Sequence, residues 1–426
     1  MHQTLRCGWQ TGRMGVAKTD NSATAAAAVF RRKVLYIPGY DPFPPRRYRE
    51  LYRTEGAEQA AISGYDLALH PNPKGKAGPY GWHVTSVIGQ PAEADVEVLV
   101  WSDLVRQSMT RGIAGTYWLL ARTAWVYGAS GALWRLIRLR KGPMIAALYP
   151  AVLLLGQGLL ALALGVLVLW LAAALPFGLE WPLAGLAIWA VLVGFRRLDR
   201  RLYVYYLMHD YAFTAIERGV YPAILEDRLA AFRGRVRAAL DSGVDEVLVV
   251  GHSSGVHLAV TVLADLIREG VAQDGPALGF LSLGQVVPMA SFLPGAARLR
   301  GDLAYLSTRT ELTWVDVTAP GDGCTFALCD PVAVSGVAPE GQLWPLVISA
   351  AFTRTLSPAR WKALRWKFFR LHFQYMCAFD NLAGRRNDYD YFRITAGPMT
   401  LAKRFRRRKS SSSLISTAAS PHRDVA

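Results

Sequence analysis

Between Gly142 and Phe195 the chain carries one charged side chain, Glu180, in a run otherwise dominated by Leu, Ala, Val, Gly and Trp. A membrane span takes about 20 apolar residues, so the block is long enough for two, whereas no core helix of a soluble protein needs that length. The segment Pro-Phe-Gly-Leu-Glu-Trp-Pro, from Pro176 to Pro182, supplies the turn. The spans are expected near Ala147 to Leu171 and near Leu179 to Phe195. Arg135, Arg138, Arg140 and Lys141 precede the block, and Arg196, Arg197, Arg200 and Arg201 follow it. Because cationic flanks stay in the cytoplasm, both ends should face that side and the block should be a hairpin. Everything before and after it can then belong to one folded unit.

A second segment says what that unit is built around. Glu246 to Leu266 reads as a buried strand, a glycine-framed turn and an amphipathic helix, with Ser253 at the apex of Gly251-His252-Ser253-Ser254-Gly255. Gly251 and Gly255 remove the β-carbons that would collide where a strand reverses into a helix. Ser253 can then sit in a strained turn with its hydroxyl exposed, and Ser254 offers a backbone N–H at the helix N-terminus, where an oxyanion could be held. The bland alternative is a turn that only packs, as in nucleotide-binding folds. Such a turn would carry Gly-x-Gly-x-x-Gly or a terminal Lys-Ser/Thr, and neither is present.

This strand, elbow and helix resemble the α/β-hydrolase superfamily, over about residues 31 to 390. The resemblance implies an α/β fold, a mainly parallel sheet with helices on both faces, here interrupted by the two-helix transmembrane hairpin. It also implies the chain order Ser, then Asp or Glu, then His. Strands are expected near Val34 to Pro38, Trp82 to Gly89, Asp95 to Trp101, Leu278 to Val286 and Leu312 to Val317. Active sites of such sheets lie at the carboxyl ends of the strands.

After Ser253 the histidines are His257, His372 and His422. His257 lies on the helix leaving the elbow and His422 in the tail, which leaves His372 as the base. Its spacing to Tyr375 is similar to the His-x-x-Tyr around the base of class 3 lipases. For the acid, Asp316, Asp322 and Asp330 compete. Asp316 falls inside a strand pattern and should bond locally. Asp322, in the Pro-Gly-Asp-Gly turn just past the strand, is preferred, with Asp330 before Pro331 as the alternate. A second oxyanion donor should come from the loop after the first strand, from Tyr40 or Gly39, although no His-Gly-Gly-Gly motif is present. His209-Asp210 reads as a polar pair on an interfacial helix, and no metal or organic cofactor is implied.

The formal net charge of +16 gathers beside the apolar block and in the tail run Lys403 to Lys409. Basic clusters beside apolar spans fit anionic lipid head groups better than nucleic acid, which is not expected as a partner. Cys7, Cys324, Cys329 and Cys377 form no paired framework and suit a reducing compartment. The expected units are residues 1–30, disordered; 31–141 and 197–400, the two parts of a hydrolase core; 142–196, the hairpin; and 401–426, a basic, serine-rich disordered tail.

The chain therefore reads as an integral protein of an inner or plasma membrane with a cytoplasmic catalytic part. Its expected activity is cleavage of an ester or related acyl bond, with lipid-like substrates favoured by the anchor. Two alternatives use the same features, an acyltransferase or thioesterase with the same triad and a non-catalytic membrane scaffold.

Overall fold

A computed structural model describes residues 29–72, 78–272, 274–381 and 389–426. Most of the expected N-terminal segment lies outside the described residues. Eight strands form one sheet: β1 (Phe30–Ile37), β2 (Asp66–Pro71), β3 (Gly81–Ile88), β4 (Gln90–Val98), β5 (Glu246–His252), β6 (Ala277–Leu283), β7 (Leu312–Thr318) and β8 (Leu346–Ser349). Their order is β2-β3-β4-β1-β5-β6-β7-β8. From β4 to β8 every neighbouring pair is parallel, while β2-β3 and β3-β4 are antiparallel, so the sheet is mixed.

Alternate side chains of each central strand enter different cores, as the two-residue period requires. Leu35, Ile37, Val247 and Val249 pack on one face with the helices Ala223–Leu240, Gly255–Arg268 and Ala297–Ser307. Val34, Tyr36, Leu248 and Val250 pack on the other, under Arg46–Ser63 and Tyr391–Ala396. Strand β5 is buried along its whole length, which explains its unbroken apolar run.

The antiparallel edge departs from expectation. Gly89 adopts φ 79°, closing a tight β3-β4 hairpin, so β4 starts at Gln90 rather than near Asp95. Strand β2 was not expected, because Asp66 to Pro71 has polar and apolar residues without a buried run.

Two helices, Lys141–Leu171 and Glu180–Leu202, leave this body between β4 and β5. Both are long and apolar enough to cross a membrane, with mean hydropathy of 2.5 for the first and 1.6 for the second, whose segment begins at Pro176. Only Ala184 of the second is buried. They pack closely on each other: a β-carbon on Gly165 would come within 2.7 Å of the Ile188 side chain. Since β1 lies between β4 and β5, the sheet closes across this insertion.

The tail is a correction to the expected disorder of residues 401–426. Leu401 and Phe405 are buried on the short helix Leu401–Phe405, and the Leu401 N–H donates to Glu246. Further on, Ile415 exchanges backbone hydrogen bonds with Leu328 and Asp330 at 2.8 and 2.9 Å. The cations of Lys403 to Lys409 stay largely at the surface while apolar residues among and beyond them pack.

Candidate active site

The strand β5 ends in a turn that places Ser253 at φ 58°, the left-handed region that a residue with a side chain rarely adopts. The flanking glycines permit it. A β-carbon on Gly255 would stand 2.3 Å from Ile37 O, and one on Gly251 would stand 2.9 Å from Val256 Cα. Gly39 comes as close, since its β-carbon would meet Ser253 Cβ at 3.0 Å. The loop after β1 thus lies directly against the elbow.

Asp322 and His372, expected as acid and base, are brought into contact. His372 Nδ1 pairs with Asp322 Oδ2 at 2.7 Å, with both side chains buried. Asp322 also accepts the Tyr375 hydroxyl at 3.0 Å and the Cys324 N–H at 2.9 Å, so the carboxylate is held from three directions. Tyr375 accepts the Ala319 N–H in turn, which fixes the loop leaving β7. The His-x-x-Tyr spacing therefore has a physical content: both residues grip one carboxylate. Beneath them Gly284 (φ 55°) gives the room, since a β-carbon there would stand 3.1 Å from His372 Cε1.

Asp330, the alternate acid, is elsewhere engaged. It caps the helix Pro331–Val334, accepting the Val332 and Ala333 N–H groups, and its other oxygen accepts Gln342 Nε2 at 2.8 Å. The Asp-Pro sequence marks a helix start, and the hydrogen bonds of Asp330 do not include His372. Asp316 accepts the Ser282 hydroxyl at 2.6 Å inside the sheet, and burial pushes its carboxyl up to about 8.

The oxyanion side is corrected in part. The Tyr40 N–H, expected as a donor, is given to Ser254 Oγ at 2.8 Å. It can serve an oxyanion only by exchanging that partner. Asp41 pins the same loop by accepting the Phe43 N–H at 2.9 Å and the Tyr48 hydroxyl at 2.6 Å.

Two other histidines hold the site without titrating near neutrality. His252 bonds through Nε2 to the His372 carbonyl at 3.0 Å, and burial holds its pKa well below the usual range, so the neutral ring is a donor there. His257 pairs with the Tyr221 hydroxyl at 2.7 Å, and burial lowers it to about 4.

Ser253, His372, Gly39, Tyr40 and Ser254 line one cavity of about 150 Å³. Asp210 lines it too, and this residue was misread. The helix Val204–Ala215 turns His209 away, its Nδ1–H donated to Tyr205 O at 2.7 Å, and turns Asp210 toward the cavity. Neighbouring residues on a helix point about 100° apart, which was the available signal that the two could not act as a pair. Burial raises the Asp210 carboxyl to about 7, while the charge of His372 pulls it down.

Cys324 brings a third metal-binding atom within 4.8 Å of those of Asp322 and His372. The Asp-His hydrogen bond already accounts for two of the three. Burial drives the Cys324 thiol well above its usual range, which disfavours the thiolate that a metal would need. In comparisons with known proteins, no family model, curated protein or solved structure matches the chain.

Proposed function

We propose that the chain is a membrane-anchored serine hydrolase of the α/β-hydrolase type that cleaves an ester or related acyl bond of a lipid-like substrate. The observation that carries this reading is the Asp322–His372 pair, at 2.7 Å, whose His372 lines the same cavity as a serine held at φ 58°. A residue confined to the left-handed region costs about 1–3 kcal/mol, and an elbow that only packed would have no use for that strain.

In the reaction Ser253 Oγ attacks the acyl carbonyl and its proton passes to His372 Nε2. Asp322 keeps the other ring nitrogen protonated and stabilises the imidazolium. The Ser254 N–H, at the start of the elbow helix, and the Tyr40 N–H, once Ser254 Oγ turns away, face the developing oxyanion. Collapse of the tetrahedral adduct breaks the bond to the leaving alcohol, which takes the proton from His372. Water then attacks the acyl-serine with His372 as base, and the acid leaves as Ser253 regains its proton.

The two apolar helices anchor this site to a bilayer, with the arginine flanks and the catalytic part on the cytoplasmic side. Trp118, Trp125 and Trp134 remain more than half exposed, as expected of side chains at a membrane–water interface. A fluorophosphonate probe applied to membranes containing the full chain should label it, and Ser253→Ala should abolish the label without altering membrane insertion. Equal labelling of the variant would overturn the mechanism.

A further inference from the structure

The cavity around Ser253 is too small for a lipid. About 150 Å³ holds the reacting end of a molecule, whereas even drug-sized ligands fill about 300–1,000 Å³. A much larger open groove, about 1540 Å³, lies beside it and shares Phe43, Tyr203 and Tyr206 with it. One part of this groove is apolar, formed by Trp189, Leu192 and Val193 of the second apolar helix together with Ile113. Arg111, Arg196, Arg197 and Arg200 also line the groove, with the single carboxylate Asp199 among them.

These arginines do more than mark the end of a span. They converge from two separate segments, with Arg196 Nη1 4.0 Å from where a β-carbon on Gly112 would stand. Among the described residues, none of the four forms an ion pair. The nearby carboxylate, Asp199, spends its oxygens on the N–H groups of Tyr205 and Tyr206. Trp189 precedes Arg196 by two helical turns, about 10 Å along the axis. The groove therefore offers cations at the level of bilayer phosphates and apolar side chains at the level of the upper acyl chains.

His209 is buried in the groove wall. With its Nδ1–H given to Tyr205 O, its Nε2 is an acceptor without a partner among the described residues.

We propose that this groove binds an acidic phospholipid from the adjoining leaflet, with its phosphate on the arginines and its ester region at the mouth of the Ser253 cavity. The role of that lipid as substrate rests on the serine-hydrolase reading; its binding does not.

The test uses the full chain carrying Ser253→Ala, which prevents turnover, in uncharged detergent. Short-chain phosphatidylglycerol, short-chain phosphatidylcholine and inorganic phosphate are titrated in turn by calorimetry. Phosphatidylglycerol should bind about tenfold or more tightly than phosphatidylcholine, and Arg196→Gln with Arg200→Gln should erase that preference. The thermal unfolding transition of the variant serves as the control for folding. Equal affinity for the two lipids overturns the proposal, and so does inorganic phosphate displacing the lipid completely, which would mark a free-anion site. If phosphatidylglycerol binds selectively yet the parent chain neither takes the fluorophosphonate label nor releases fatty acid, the groove stands and the hydrolase reading falls.

Discussion

The cavity has two walls of different construction. One comes from loops at the carboxyl ends of β1, β5 and β7 and from the segment around His372, where Asp322 is held by three donors and Ser253 is framed by glycines. The other comes from Tyr203 and the helix Val204–Ala215, where Tyr206 and Tyr211 line the cavity and Asp210 faces the space between the walls. Tyr203 packs against Phe369 in a tilted pair with ring centroids 4.9 Å apart, and the Tyr206 hydroxyl donates to the carbonyl of Tyr40. The first wall fixes its polar groups by hydrogen bonds, which is what the proposed proton transfer needs. The second adjoins the groove through Tyr203 and Tyr206, so in the proposed function it governs what reaches Ser253.

The two walls should respond differently to substitution. Asp322→Asn should lower kcat by about 10⁴ with the fold intact, since the amide favours the wrong imidazole tautomer. His372→Ala should cost a similar factor and the double variant little more, because the pair acts as a unit. A short soluble ester is the substrate to use, and strict additivity in the double variant would break the comparison.

The tail comes next, because Ile415 braces the loop between Asp322 and Asp330. Removing residues 401–426 should cost about 3–6 kcal/mol from the burial of Leu401 and Phe405 alone. Urea unfolding in detergent and soluble-ester activity should fall together, and a truncated chain with undiminished stability would show that the first wall needs no brace. Asp330→Ala should then cost about 1 kcal/mol through the lost helix cap, with kcat unchanged. A large fall in kcat would return Asp330 to the list of acids.

The smallest effect belongs to the second wall. With burial holding Asp210 near 7 and an unfolded carboxyl titrating near 4, the folded state binds the proton more tightly. Its contribution to stability is complete below about pH 4 and lost as pH rises toward 7. Asp210→Asn should flatten that decline, although the carboxyl faces the cavity and solvent trims the difference. Identical pH slopes for parent and variant, measured by denaturant midpoint at pH 5 and 8, would show that Asp210 is hydrated as an exposed carboxyl is.

The elbow was legible in sequence because all its determinants are contiguous: apolar strand, two glycines, amphipathic helix. The hairpin was legible because a lone Glu180 in so long an apolar run leaves few alternatives. His372 emerged because few histidines follow Ser253, and Asp322 because it stands just past a strand end. The tail was misread because serine and arginine dominate its composition, yet Leu401 and Phe405, four apart, form one helical face. Asp210 was misread for another reason. Val204 to Ala215 is aromatic and apolar around most of its circumference, so no periodicity tells which face meets the site. The engagement of the Tyr40 N–H by Ser254 depends on a contact across 214 residues, which no local pattern contains.

The position of β1 has a consequence for how the protein is made. This strand is the first described element of the chain, yet it sits mid-sheet and takes β5 as one of its neighbours. Roughly 200 residues, including both apolar helices, separate the two strands, so at about 5–20 residues per second β1 waits roughly 10–40 s for that partner. During synthesis the N-terminal part of the sheet therefore keeps an open edge, and an open edge is a template for pairing with the wrong chain.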